Sequence, residues 1–362
     1  MIKKRSILFV APLYKDRSPS QRFRFEQYIN ILEENNWDCN FSSLHTASTD
    51  KIFYSKGNIL RKLLLLLSFI SKRLKDLKKS KTTDIIFVQR EAFYTGSSFF
   101  EKQFSKNSKL IFDFDDSIWL PNVSNANKKF EWLKNYNKTK QNIAYADVVI
   151  AGNEYLANYA KQFNNNVFII PTTIDTEEYK RMPINNNKII IGWSGSVTTI
   201  QHFEFASKVL LRIKKEFGNK VEIKVIGDEN YYNNELNIKG IAWKKEDEIK
   251  ELSSFDIGIM PLPDDKWANG KCGLKGLQYM ALEIPTIMSP VGVNTEIIQD
   301  GTNGFLANSD KEWFDKLSLL IEDSQLRTKL GKAGRQTVID KYSVKANKEK
   351  YLDVIRFALA QP

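Results

Sequence analysis

The sequence predicts an α/β protein of two doubly wound domains facing across a cleft, and three observations carry that expectation. Short apolar, β-rich runs alternate with helical patterns along the whole chain. The runs form two series on either side of a turn-rich joint. With 362 residues the chain exceeds one ordinary core, so about two domains are expected.

In the first half the strand candidates are SILFVAP, CNFSSL, DIIFVQ, KLIFDFD, DVVIAG and VFIIP; in the second they are KIIIGWSG, VEIKVIG, DIGIMP, PTIMSP and GFLA. Runs that are apolar throughout and separated by helices indicate parallel sheets covered on both faces. The start, MIKKRSILFVAPLY, has basic residues before an apolar run. That run is too short for a signal-peptide core, so a first buried strand is expected. PTTIDTEEYKRMPINNN (171–187) combines prolines, turn formers and charge, and marks the joint. The expected divisions are a first domain over 1–180, a second over 188–340 and a terminal segment over 341–362.

Composition excludes several function classes. Hydrophobic residues make up 42% and charged residues 27%, a globular balance. Two distant cysteines, Cys39 and Cys272, suggest a reducing compartment and no disulfide framework. His45 and His202 are the only histidines, which argues against a histidine zinc site or a Ser-His-Asp triad. The net charge of +11 lies entirely in residues 1–200, with 30 Lys+Arg against 19 Asp+Glu; the remainder balances at 24 against 24. The first half is therefore expected to meet something anionic.

The segment over 58–81, NILRKLLLLLSFISKRLKDLKKSK, is the longest apolar stretch, yet it falls short of a bilayer span of ~20 apolar residues. Leu63, Leu67, Ile70, Leu74 and Leu77 follow helical spacing among eight Lys and Arg residues. It fits a helix lying in a membrane interface, or a helix packed on the sheet with a solvated basic side.

Four motifs carry chemistry. In PLYKDRSPSQRFRF, Pro19 and Ser20 are expected to start a helix with Arg22 and Arg24 in its first turn, where cations oppose the dipole unless an anion is bound. IFDFDDSIW ends a strand with Asp113, Asp115 and Asp116. Either some of them cap the next helix or they serve the cleft, by bonding acceptor hydroxyls or a metal. In IIIGWSGSVTTIQHF, Gly192, Gly195 and Ser196 let backbone N–H groups approach a phosphate at a helix N-terminus. In GKCGLKGLQYMALEIPTIMSP, Lys271, Lys275 and Gln278 recur at spacings of four and three, which on a helix form one basic face. Lys271, Cys272, Gly273 and Leu274 are expected at the helix start, where unpaired N–H groups converge. Two ammonium groups there match a diphosphate, and Gln278 suits a ribose diol.

At these residues the chain resembles the retaining glycosyltransferases of family 4, with the GT-B fold of two Rossmann-like domains. The resemblance runs over nearly the whole length and is strongest over 189–342. GKCGLKGLQYMA matches the family signature at Gly273, Leu274, Met280 and Ala281, while Gly270 and Gln278 stand where the family has two glutamates. The chain thus resembles a divergent subgroup. The resemblance leaves the sugar contact to Lys271, Asp265 or Trp267, or vacant. It places Gly240 to Lys244, including Trp243, near the nucleobase, and implies a terminal helix crossing back to the first domain.

The implied activity is transfer of a sugar, with retention, from a nucleotide-diphosphate donor to a glycan or polyprenyl-pyrophosphate-linked acceptor in bacterial surface glycan assembly. Lys271, Lys275 and Asp116 are the expected catalytic residues. Gly195, Ser196, Trp243, Gly273, Leu274 and Gln278 join the lysines in donor binding, and Arg22, Arg24, Asp115 and Asp116 belong to the acceptor side. No cofactor and no metal are expected. Cytoplasmic location at the inner face of the plasma membrane is expected, with peripheral contact to anionic lipid and no nucleic acid. A non-catalytic nucleotide-sugar-binding protein or partner subunit is the alternative, raised by the two missing glutamates.

Overall fold

The computed structural model describes residues 4–55, 57–120 and 135–361. Contacts divide the chain into two compact units, Met1–Pro171 with Lys348–Pro362, and Thr172–Asn347.

In the first unit β1 (Arg5–Ala11), β2 (Trp37–Ser43), β3 (Ile85–Gln89), β4 (Lys109–Phe114), β5 (Val148–Ala151) and β6 (Val167–Ile169) form one sheet. Its order is β2-β1-β3-β4-β5-β6, with every pair parallel. Each run read as a strand in the first half is one, because burial on both faces demands apolar residues throughout: all of β3 is buried. The basic start is β1, its first three residues lying outside the described ones. Residues of the last helix, Val344–Ala360, complete this unit: Tyr351 stacks on Tyr28 at 4.0 Å, and Phe357 meets Phe168 edge-on at 5.0 Å.

The second unit holds β7 (Ile189–Ser194), β8 (Val221–Ile226), a short antiparallel hairpin of β9 (Tyr232–Asn233) and β10 (Ile238–Lys239), then β11 (Ile257–Met260), β12 (Thr286–Met288) and β13 (Phe305–Leu306). Its main sheet runs β13-β12-β11-β7-β8, again all parallel. The five strands read from the second half are all present. The hairpin strands, two residues each, are too short to leave a periodic signal.

Two buried groups in the first unit set the surroundings of the Ile59–Ser80 helix. Arg73 is fully buried, and its guanidinium donates to Asp76 Oδ2 (2.7 Å), Ser42 Oγ (3.1 Å), Ala11 O (2.8 Å) and Ala92 O (2.6 Å). One side chain thereby ties the helix to the ends of β1 and β2 and to the loop after β3. Nearby, His45 is fully buried among Phe53, Tyr54, Phe69 and Tyr94, and neither ring nitrogen has a hydrogen-bond partner among the described residues. Burial lowers its pKa; the carboxylate of Asp50 acts in the opposite sense, and Arg17 adds to the lowering.

The sign of the resulting pH dependence follows. Below about 6.5, the ordinary histidine value, the unfolded chain binds a proton that the buried neutral imidazole does not. The stability from the neutral ring is present above that pH and is lost progressively as the pH falls toward the depressed native value. Urea unfolding from pH 7.5 to 5 is expected to show the first unit weakening with acid. His45→Phe is expected to flatten the part of the slope due to this residue; an unchanged slope would remove His45 from the account.

Candidate functional site

In each sheet the strand order reverses once, between β1 and β3 and between β7 and β11. Ligands of doubly wound sheets bind outside the carboxyl ends of the strands at such switch points. The two units are taken in turn.

In the second unit β7 runs out through Ser194 into Gly195 and Ser196. Tyr279, buried on the Leu274–Ala281 helix, accepts from Ser194 N at 2.7 Å and lies 3.1 Å from Ser194 Oγ. Burial raises the phenol pKa, so Tyr279 remains neutral. A side chain at Gly195 would come within 2.2 Å of the Trp193 ring, which keeps the residue glycine. The Gly195 amide donates to Ile226 O at 2.9 Å, and the Ser196 amide to Thr199 Oγ1 at 2.9 Å. This corrects the expectation that both amides face a phosphate: they are committed within the fold, and the Ser196 hydroxyl lies 3.0 Å from Thr198 Oγ1 and 3.2 Å from Thr199 Oγ1.

The helix starting at Leu274 also differs from the sequence reading. Gly273 is its N-cap, in left-handed backbone at φ 70°, and no side chain caps it. A Cβ at Gly273 would sit 2.3 Å from Ile297, a second reason for glycine. Lys271 precedes the helix in extended backbone, closing a short 3-10 turn over Ala268–Gly270. It therefore does not share a helical stripe with Lys275 and Gln278; the turn and the glycine cap interrupt the expected spacing. The ammonium of Lys271 lies 5.4 Å from the Trp267 ring centre and that of Lys275 4.9 Å from the Trp193 ring centre. Such cation–π contacts hold a charge without neutralising it.

Gln278 is buried, and its Nε2 donates to the Tyr179 hydroxyl at 3.1 Å. That hydroxyl donates to Glu248 Oε2, while Glu248 Oε1 accepts from Trp243 Nε1 at 2.8 Å. Two residues chosen from sequence, Gln278 and Trp243, are thus joined through two that were not, Tyr179 and Glu248. The donor half of Gln278 is engaged, a correction to its free two-way bonding.

In the first unit the arginines depart from expectation. The helix over Pro19–Arg22 is four residues long, so Arg22 closes it and Arg24 follows it. Four residues make a single turn, which Arg22 ends and Arg24 lies beyond. Arg24 is buried, pairs with Asp113 at 2.5 Å and donates to Ile170 O. Its charge is matched inside the fold, which removes the reason for assigning it a bound anion. Desolvation raises the pKa of Asp113, while Arg24 opposes that shift.

Asp115 and Asp116 sit just beyond β4 and share Arg90, which lies just beyond β3. Arg90 Nε donates to Asp115 Oδ1 at 2.8 Å, and Nη2 donates to Asp116 Oδ2. The parallel register pairing Gln89 with Asp113 brings these residues together. Arg90 adopts left-handed backbone, φ 61°, and its amide donates to Asp113 O at 2.8 Å. Burial lowers the pKa of this guanidinium, but the two carboxylates outweigh that and raise it. Arg90 was missed in the sequence because its partners lie on another strand. Among the described residues no group of three or more His, Cys, Asp or Glu is placed to hold a metal.

The comparisons agree with this architecture. Residues 188–323 match the family model described as glycosyl transferases group 1. No curated protein sequence matches the chain. Among solved structures, a glycosyltransferase from Rickettsia africae ESF-5 is 16% identical with TM-score 0.66, covering 100% of both chains. Sucrose-phosphate synthase from Thermosynechococcus elongatus is 12% identical with TM-score 0.72, over 99% of this chain and 100% of that one. Anabaena HepE in complex with UDP and glucose is 13% identical with TM-score 0.67, over 97% and 99%.

Tyr279→Phe tests the local geometry. It strands the buried Ser194 amide, so a loss of about 1–3 kcal/mol is expected in urea unfolding. A change under about 0.5 kcal/mol would show that the β7 end does not depend on this hydroxyl. Two doubly wound parallel-sheet units give the chain the GT-B fold class, and the group 1 glycosyl transferase match falls within the second of them.

Proposed function

We propose that the chain is a nucleotide-sugar-dependent glycosyltransferase of a divergent, family 4-like kind. It moves a sugar, with retention, to a glycan or polyprenyl-pyrophosphate-linked acceptor in bacterial surface glycan assembly. The observation that carries this reading is the β7/β11 switch point, where Lys271 and Lys275 flank an uncapped helix N-terminus within the stretch matched by the group 1 family model.

The division of labour follows from the side chains. Lys271, Lys275 and the Gly273 and Leu274 amides hold the donor diphosphate, and the Ser196 hydroxyl assists. The Gln278 carbonyl oxygen accepts from a ribose hydroxyl, while the Trp243 ring, fixed through Glu248, lies beside the base. As the glycosidic bond breaks, the developing diphosphate charge is stabilised by the two ammonium groups. The acceptor hydroxyl gives its proton to the departing phosphate oxygen on the same face. On the acceptor side, Asp115 and Asp116 accept from sugar hydroxyls while Arg90 fixes their carboxylates. Solved neighbours described with UDP, and with UDP and glucose, support a nucleoside diphosphate as the first probe. The basic first half supports work at the anionic inner face of the plasma membrane.

Lys271→Ala and Lys275→Ala are each expected to weaken UDP binding by about tenfold or more, as loss of a charge-assisted contact implies. Calorimetric titration reads this directly. Affinities equal to the parent's in both variants would sink the diphosphate assignment. UDP binding with no transfer to any extracted lipid acceptor would instead favour a non-catalytic role.

A further inference from the structure

The Ile59–Ser80 helix carries a packed face and a separate exposed one. Phe69, Arg73, Asp76 and Ser80, spaced four, three and four apart, are buried and pack it on the first unit. Ile59, Leu63, Leu67, Ile70 and Leu74, spaced four, four, three and four apart, form a second stripe turned outward, and Leu60 and Leu64 widen it. These are large exposures: Ile59 is 82% accessible, Leu60 71%, Leu64 57% and Leu67 56%. The leucine stripe read from sequence is therefore the outer face of the helix, and the packed face centres on Phe69 and Arg73. A contiguous apolar patch of this kind marks an interaction surface.

We propose that this face beds in the interfacial layer of an anionic bilayer, with the helix lying along the membrane plane; the proposal rests on the membrane location suggested above and names the element that provides it. At 22 residues the helix is ~33 Å long. No helix among the described residues is long and apolar enough to cross a membrane. The apolar stripe is bordered by Arg61, Lys75, Lys78 and Lys79; Arg61, Lys75 and Lys78 have no acidic partner among the described residues. The one acid on the helix, Asp76, is buried against Arg73. An apolar face edged by unmatched lysines complements anionic headgroups. It opposes a second copy, because pairing two such helices brings like charges together. Arg73 makes the surface a fixed part of the unit, since its hydrogen bonds join the helix to the ends of β1 and β2 and to the loop leading from Arg90.

The test is flotation of the full chain with vesicles of phosphatidylcholine containing phosphatidylglycerol, against pure phosphatidylcholine. Co-flotation with the anionic vesicles is expected. Leu63→Ser combined with Leu67→Ser alters only side chains more than half exposed, so the fold and UDP affinity should persist while vesicle affinity falls about tenfold or more. Lys75→Gln with Lys78→Gln should cut the anionic preference by about tenfold or more. Absence of flotation overturns the proposal. So does flotation unchanged by the Leu double substitution, or a vesicle-free dimer that this substitution dissolves. Failed flotation with intact UDP binding leaves the transferase reading standing; flotation without nucleotide binding sinks that reading and keeps this one.

Discussion

Parallel pairing is the constraint on which the rest depends. A parallel sheet needs a crossover after every strand, and covering both faces sends those crossovers to opposite sides. Where the order reverses, two loops leave the carboxyl edge in opposite directions and open a crevice. Both sheets have one such point, at β1/β3 and at β7/β11. Arg90 follows β3, the Ser194–Ser196 turn follows β7, and the segment leading to Lys271 and Lys275 follows β11. Residues distant in sequence meet because strand order brings their loops to the same edge.

Both units pair half-buried cations with carboxylates, as Lys224 with Glu251 in the second. In the first, buried or half-buried cations meet carboxylates: Arg24 with Asp113, Arg73 with Asp76, Arg90 with Asp115 and Asp116. A buried charge without such a partner is costly, so these pairs hold the architecture even where they add little net stability. In the second unit the ammonium groups of Lys271 and Lys275 lie against tryptophan rings. A ring of this kind attracts a cation through its quadrupole. The named pairs of the first half, three arginines with four aspartates, carry no net positive charge, so its excess of +11 rests on other residues.

The strands were legible because both-face burial writes an uninterrupted apolar run, and β3, with every residue buried, is the plainest case. Helix phase was less legible. The spacing of Lys271, Lys275 and Gln278 satisfied a helix, but the turn over Ala268–Gly270 and the left-handed Gly273 place Lys271 outside it. The leucine spacing between Leu63 and Leu74 was real, yet spacing states that a face exists and not which way it turns. Hydrogen-bond commitments were not legible at all. Nothing local says that the Gly195 amide is taken by Ile226 O, on the neighbouring strand, or that Arg90 stands opposite Asp115. Those facts belong to strand register.

The same reasoning explains why position 278 tolerates an amide where the resembled family has a carboxylate. Tyr179 has one hydroxyl proton, and it goes to Glu248, a buried carboxylate whose other oxygen is held by Trp243. A second carboxylate at 278 would compete for that proton and leave a buried acceptor unmatched beside a like charge. An amide resolves the conflict: Gln278 donates to the Tyr179 oxygen, so every member of the chain from Trp243 to Gln278 has a donor facing an acceptor. The Gln278 side chain is thereby held in orientation by the hydrogen-bonded chain behind it.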